Sequence, residues 1–284
     1  MKIVTQTRLA VRNYLNYSFR FTLRFRSLAF FYPELFPATH FFYRAEIFIR
    51  NRMKHEIIGS NLQMVKIDLL PGEGIFAEAG AMVNMTGSFT MESQLKGGIL
   101  SGIKRAVVGE SVFLTRFSPG AGAGFVSFAG TMPGKIFPVS VSPDREFISR
   151  KDSFLCCHEG VELDIAFTRK IQAGLFGGEG FVLQRMTGQG TVFLHCCGDI
   201  IELDLKPGEV VKVQTGLVVG FDHTVSYDIA LAGGITTALF GGEGLFVTTL
   251  TGPGKVILQS MNLEKIAASL IPYLPKPEVK VKPV

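Results

Sequence analysis

Two short runs of cysteine and histidine have the clearest potential for chemistry in this sequence. They are Cys156–His158 and His195–Cys197. Thiolate and imidazole groups are the ligands that zinc prefers. Within each run, however, the candidate ligands are adjacent, whereas zinc knuckles separate their cysteines by roughly two to four residues. Neighbours on a strand also point to opposite faces. We therefore favour small apolar core residues over a zinc site, and we expect no bound metal.

A glycine-rich pentapeptide occurs twice and is a candidate phosphate cradle. Phe176–Gly180 and Phe240–Gly244 both read Phe-Gly-Gly-Glu-Gly and lie 64 positions apart. Glycine lets backbone N–H groups approach an anion. Neither copy is followed by the Lys-Ser or Lys-Thr of a P-loop, nor by the helix of a dinucleotide fold. A tight turn before a strand is therefore the favoured interpretation, and no cofactor is expected. The residues concerned are Gly177, Gly178, Glu179, Gly241, Gly242 and Glu243.

These copies belong to a longer internal repeat. Pro71 and Gly72 follow one strand-like run, and Pro207 and Gly208 follow another, with Ser142–Arg145 as a third counterpart. Proline sets φ at the first corner of a turn, and glycine accepts a positive φ at the next. Runs with the two-residue period of a strand begin 18 positions after each proline, at Phe89, Val161 and Val225.

The repeat predicts an all-β fold of three similar β-modules. The modules lie near 71–142, 143–206 and 207–262, and residues 53–70 match the end of a module, so the repeat is circularly offset. All 32 glycines follow residue 52, as expected for many short strands joined by tight turns. Asn262–Leu270 has the apolar spacing of a short C-terminal helix. The Lys- and Pro-rich tail beyond it is predicted to lack fixed structure.

Charge and composition narrow the classes of partner. Residues 1–52 hold nine Lys and Arg against two Asp and Glu, and the remainder holds 20 against 22, a net charge of −2. The body therefore offers no electrostatic footprint for nucleic acid, and no DNA partner is expected. Its arginines are scattered rather than interleaved with aromatic residues, as RNA stacking requires. No run of about 18 apolar residues occurs, so a cytoplasmic protein is expected.

Residues 1–52 differ from the rest of the chain. They contain eight Arg and nine Phe but no Gly and no Asp. One interpretation is a basic targeting or membrane-surface segment. The favoured alternative is an over-extended reading frame with the true start at Met53, where a strand-like run begins at once.

Several motifs together resemble a known family, the altered-inheritance-of-mitochondria family, number twenty-four in its naming series. The motifs are Ile58–Met64, Pro71–Gly74, Ala79–Met82, Leu95–Gly98 and the two pentapeptides. The resemblance covers about residues 53–262. It implies an all-β fold akin to the tryptophan-RNA-binding attenuation protein, within the double-stranded β-helix group. Mitochondrial relatives are associated with the inner membrane, whereas prokaryotic members have no established activity. The family has no catalytic motif to carry over, and both Cys–His runs lie outside its pattern.

The sequence favours three segments and a structural role. They are an N-terminal extension, 1–52, a triplicated β domain, 53–262, and a helix with its tail, 263–284. No serine lies in a Gly-x-Ser-x-Gly elbow, so we expect no catalytic residue and no enzyme. We expect a self-associating scaffold that forms a homo-oligomer and binds protein partners, with peripheral membrane association left open. A small-ligand- or RNA-binding module is the alternative, argued from fold analogy alone.

Two local predictions concern the glycine-rich loops. We expect a positive φ at one or both of Gly178 and Gly242, because a glycine pair before a strand sets a bulge or a primed turn. Glu110, Glu179 and Glu243 share one repeat register. We expect each to accept hydrogen bonds from turn N–H groups within its own module, rather than to converge on a cation.

Overall fold

The fold is that of a computed structural model, which describes residues 54–78, 80–95, 113–169, 181–231 and 246–274. Contacts divide the chain after Arg52, and every described residue lies in the unit that begins at Met53. Apart from one α-helix and short 3₁₀ turns, the described elements are β-strands, so the protein is all-β.

Nineteen strands follow one another through the described residues. The first seven are β1 (His55–Ile58), β2 (Met64–Leu69), β3 (Ile75–Glu78), β4 (Met82–Met85), β5 (Phe89–Leu95), β6 (Phe113–Pro119) and β7 (Gly124–Ala129). The next six are β8 (Gly134–Val141), β9 (Phe147–Arg150), β10 (Phe154–His158), β11 (Val161–Arg169), β12 (Phe181–Gly188) and β13 (Gly190–Cys197). The last six are β14 (Ile200–Leu205), β15 (Val210–Gln214), β16 (Val218–Asp222), β17 (Ser226–Leu231), β18 (Phe246–Thr251) and β19 (Gly254–Gln259).

The strands pair in a pattern that recurs along the chain. β2 pairs antiparallel with β7, as β8 does with β13 and β14 with β19. β4 also pairs with β7, as β10 does with β13 and β16 with β19, and each of these three pairings contains an irregularity at the equivalent place. On the other side of each module β6 joins β5 and β3, β12 joins β11 and β9, and β18 joins β17 and β15.

Neighbouring modules are joined by further strand pairs. β3 of the first module pairs with β10 of the second, and β9 of the second pairs with β16 of the third. Four sheets result. Sheet 1 has the order β1-β2-β7-β4, sheet 2 β5-β6-β3-β10-β13-β8, sheet 3 β11-β12-β9-β16-β19-β14 and sheet 4 β15-β18-β17. As far as the described strands go, sheets 2 and 3 each contain strands of two modules.

Three apolar cores lie between successive sheets. Sheets 1 and 2 enclose one that includes Val65, Phe128 and Phe193. Sheets 2 and 3 enclose a second that includes Val192 and Met186, and sheets 3 and 4 enclose a third. Sheets 2 and 3 therefore bury apolar residues on both faces, whereas sheets 1 and 4 do so on one face.

The Pro-Gly turns have the conformation that their residue types favour. Gly72 and Gly208 have φ of +89° and +78°. In both turns the following glutamate closes the loop, because the Glu73 carboxylate accepts the Leu70 N–H at 2.8 Å and Glu209 accepts the Lys206 N–H at 2.9 Å. The glutamate therefore satisfies a backbone donor that the strand end leaves open.

Within the described part of the chain, one α-helix follows β19. Helix α1 (Leu263–Leu270) begins at Asn262, whose side-chain oxygen accepts the Lys265 N–H at 3.0 Å. This is an ordinary N-cap, and the helix lies where the apolar spacing predicted it. Its apolar face is not fully covered, since Leu263 and Leu270 are exposed.

We predict that removing residues 1–52 leaves the stability of the β-domain almost unchanged. The segment carries neither the repeat nor its turn chemistry, and the strand pairs described begin at His55. The melting temperature of a chain starting at Met53 should lie within a few degrees of that of the full chain. Loss of a cooperative transition in calorimetry would show instead that the β-domain depends on the segment.

Candidate functional site

The two Cys–His runs do not converge on one site. Cys156 packs in the core between sheets 1 and 2, and Cys157 packs in the core between sheets 2 and 3. They point to opposite faces, as neighbours on a strand must. Strands β10 and β13 are adjacent, but Cys156 lies opposite Phe193 rather than opposite the second run. Among the described residues no group of three or more His, Cys, Asp or Glu is placed to hold a metal ion.

The environment of these thiols disfavours the thiolate that metal binding or nucleophilic attack would need. Burial raises the pKa of Cys156 well above its ordinary value, and the neighbouring Cys157 raises it further. Burial is also the main cause of the raised pKa of Cys196 and Cys197. All four cysteines are free and buried, so they act as small core side chains.

The glycine-rich pentapeptides lie outside the described residues. This applies to Gly177, Gly178, Glu179, Gly241, Gly242 and Glu243, and also to Glu110. Their expected φ angles and capping contacts therefore stay predictions.

Strands β4 and β15 differ from their equivalents in the other modules in how many described strands they pair with. Up to β5, β11 and β17, repeat positions are 72 residues apart between the first and second modules and 64 between the second and third, so β4 is equivalent to β10 and β16. By the same shifts β15 is equivalent to β3 and β9. Those four equivalents form the two junctions between modules, whereas β4 and β15 are the outermost strands of sheets 1 and 4. Among the described strands, β4 has β7 as its one neighbour and β15 has β18.

Burial at equivalent positions shows the consequence. Val83 in β4 corresponds to Leu155 in β10 and to Val219 in β16. Leu155 is 3% exposed and Val219 is 0% exposed, whereas Val83 is 51% exposed. At the other end, Val210 in β15 is 53% exposed. An apolar residue thus occupies a junction position that no described strand covers.

One residue of β15 differs in kind from its equivalents. Lys212 corresponds to Phe76 in β3 and Ile148 in β9, which are 7% and 3% exposed. Lys212 itself is exposed. A lysine on an edge strand opposes uncontrolled pairing with other strands, because its charge would be buried. Sequence reasoning missed Val83 and Lys212, although the repeat register would have identified both as positions to compare.

Ion pairs reinforce the two junctions that are present. The Arg116 guanidinium in β6 contacts Glu159, which follows β10 of the next module. Arg145 lies 3.5 Å from Asp222 at the end of β16. Buried Arg150 donates a hydrogen bond of 2.7 Å to the carbonyl of Gly216 in the third module. These three arginines therefore connect neighbouring modules.

A smaller apolar surface lies at the C-terminal end. Leu263, Leu270, Tyr273 and Leu274 are all exposed. The first two share the outer face of α1. Among the described residues no helix is long and apolar enough to cross a membrane.

We predict that His195 makes the fold sensitive to acid. Burial lowers the pKa of His195 from its ordinary value of 6.5, against the opposite effect of a backbone hydrogen bond with Met132. The unfolded chain then binds a proton more readily, so stability present above pH 6.5 falls as the pH decreases. Urea midpoints measured across this range should decline less steeply for His195→Gln than for the wild type. His223→Gln, at an exposed histidine, is the control, and equal slopes for all three chains would refute the assignment.

These features define an all-β protein of stacked antiparallel sheets with a recurring strand pairing. The chain belongs to the family described as Mitochondrial biogenesis AIM24, which matches residues 55–261. It is 30% identical over 236 residues to an uncharacterised protein of Streptococcus pyogenes serotype M6, covering 80% of this chain and 93% of that protein. A crystal structure of a Streptococcus pyogenes protein, solved by a structural-genomics consortium, resembles it with a TM-score of 0.65 and 28% identity. That similarity covers 78% of this chain and 100% of the other. The resemblance in the sequence motifs is thereby confirmed.

Proposed function

We propose that this protein is a non-enzymatic scaffold that self-associates and binds protein partners. The observation that carries the proposal is the pair of incomplete sheets at the two ends of the stack. Sheets 2 and 3, inside the stack, have six described strands each. At the ends of the stack, sheet 1 has four and sheet 4 has three. An edge strand with unpaired backbone N–H and C=O groups is a template for a further strand.

The exposed apolar side chains of α1 support a second contact, with another protein or with a membrane surface. Leu263 and Leu270 would lose solvent-exposed apolar area on binding, which is favourable by roughly 25 cal/mol per Å². We assign partner binding to the C-terminal end of the chain because the apolar face of α1 is already formed there.

We predict that the full chain forms oligomers whose mass rises with protein concentration. Among the described strands β4 and β15 are edges at the two ends of each copy. Copies can therefore add head to tail into a closed ring or an open chain, so weight-average mass should rise beyond that of a dimer. Sedimentation velocity over a wide concentration range measures it. A mass equal to one chain at every concentration would contradict self-association. Turnover of a metabolite that co-purifies with the protein would contradict a non-enzymatic role.

A further inference from the structure

We infer that copies of this chain join head to tail, β15 of one copy pairing with β4 of the next in a defined register. The inference rests on the proposed self-association and names its surface. Within one chain the same strand pair occurs twice, as β3 with β10 and β9 with β16. Sheet 4 ends in β17-β18-β15, and sheet 1 contains β4-β7-β2. Joined at β15 and β4, they form a sheet in which six strands have the order of sheets 2 and 3, with β1 as a further strand beyond β2.

The partner is a second copy and not the other end of the same chain. The apolar cores place sheet 1 beside sheet 2, sheet 2 beside sheet 3 and sheet 3 beside sheet 4. β4 therefore lies at one end of the stack and β15 at the other. Backbone hydrogen bonds also follow one direction along the stack. Gly134 N–H donates to the Asn61 carbonyl at 2.7 Å, and Gly198 N–H donates to the Pro133 carbonyl at 2.9 Å. Met261 N–H continues the series by donating to Cys197 at 3.2 Å.

The internal junctions determine the register. Cys156 lies opposite Ala77, and Gly220 lies opposite Ser149. Moving each residue to its equivalent in the terminal strands places Asn84 of β4 opposite Val213 of β15. The strands are antiparallel, so Met85 then lies opposite Lys212. Val83 becomes covered in the same way as Leu155, its buried equivalent.

Lys212 makes this junction weaker than the internal ones. Phe76 and Ile148 occupy its position within the chain, and both are buried there. Burying a lysine beside Met85 is unfavourable unless its ammonium group reaches water. The expected result is a reversible association that depends on concentration, rather than an irreversible fibre. Lys212→Ile should therefore lower the concentration needed for association by about tenfold or more. Lys54→Ile, at an exposed lysine that precedes β1 and lies outside α1, β4 and β15, is the matched control and should leave it unchanged.

Engineered disulfides test the register directly in the full chain. The four native cysteines are buried, so mild oxidation of the wild type supplies a low background. Directly opposed residues of an antiparallel pair have Cα atoms about 4.5–5.5 Å apart, within the range for a disulfide. A mixture of Asn84→Cys and Val213→Cys chains should form disulfide-linked dimers, whereas each variant alone should not. Val210→Cys replaces Val213→Cys as the off-register control, because three residues along a strand span about 10 Å.

The outcomes separate this inference from the proposed function. A double variant, Asn84→Cys with Val213→Cys in one chain, should give a ladder of covalent multimers. A covalently closed single chain would show pairing within one copy and overturn the inference. Dimers of Asn84→Cys alone would show a symmetric contact and also overturn it. Sedimenting oligomers without any register-specific disulfide would retain self-association but refute these edges. Single chains at all concentrations would refute the proposed function itself.

Discussion

Gly134→Ala is expected to destabilise the protein by roughly 3 kcal/mol or more, enough to remove much of the stability of an ordinary domain. A Cβ atom at this position would overlap the carbonyl oxygen of Cys196 and lie 2.8 Å from its carbonyl carbon. It would also lie 3.1 Å from the Cα atom of Cys197. All three are backbone atoms of β13, so no side-chain rotation can relieve the overlap. Either β8 must move away from β13, or the hydrogen bond from Gly134 N–H to the Asn61 carbonyl must break.

Urea denaturation of Gly134→Ala, with Gly87→Ala as the matched control, measures this effect. A Cβ at Gly87 has no atom within 4 Å, and its φ lies outside the left-handed range. The control should change the free energy of unfolding by less than about 0.5 kcal/mol. If purified Gly134→Ala is insoluble, limited proteolysis of the two variants, each expressed separately, can rank their stabilities instead. Equal stability of both variants would contradict the close approach of β8 and β13.

Phe193→Ala is expected to cost about 3–5 kcal/mol. Phe193 is fully buried between sheets 1 and 2. Its ring meets that of His55 edge to face, with ring centroids 4.9 Å apart. Removing the ring leaves a cavity between sheets 1 and 2. The strand pairs within each sheet hold the backbone in place, so movement of the surrounding residues cannot fill the cavity completely. The loss therefore includes both the transfer of the ring from water and the cavity.

The control for Phe193→Ala is Met91→Ala on β5. Met91 is 49% exposed, and its truncation should change the denaturation midpoint only slightly. A Phe193→Ala variant as stable as Met91→Ala would mean that the core between sheets 1 and 2 is not closed around residue 193.

The local elements could be predicted from the sequence because their causes are local. Proline and glycine at Pro71-Gly72 and Pro207-Gly208 determine the turns, and the two-residue period around Val161 marks a strand. The opposite orientation of Cys156 and Cys157 follows from the pleat alone. Helix α1 could likewise be located from the spacing of its apolar residues.

The candidate interface could not be predicted in the same way. Pairing between β3 and β10 joins residues far apart in sequence, and no local preference distinguishes it from other antiparallel pairs. Val83 has an apolar side chain like Leu155 and Val219, so its residue type alone does not reveal that it is exposed. Lys212 is recognised as unusual once the junctions are known, because its equivalents there, Phe76 and Ile148, are buried apolar residues.

Backbone hydrogen exchange of the full chain at low and high concentration tests whether β15 of one copy pairs with β4 of the next. Amides that gain a hydrogen-bond partner on association exchange more slowly. We expect concentration-dependent protection of Met82–Met85 and Val210–Gln214, the strands β4 and β15. The edge strands β5 and β17 should show no such change, since they take no part in the proposed junction. Unchanged exchange in β4 and β15 under conditions where oligomers sediment would show that these strands do not form the junction between copies.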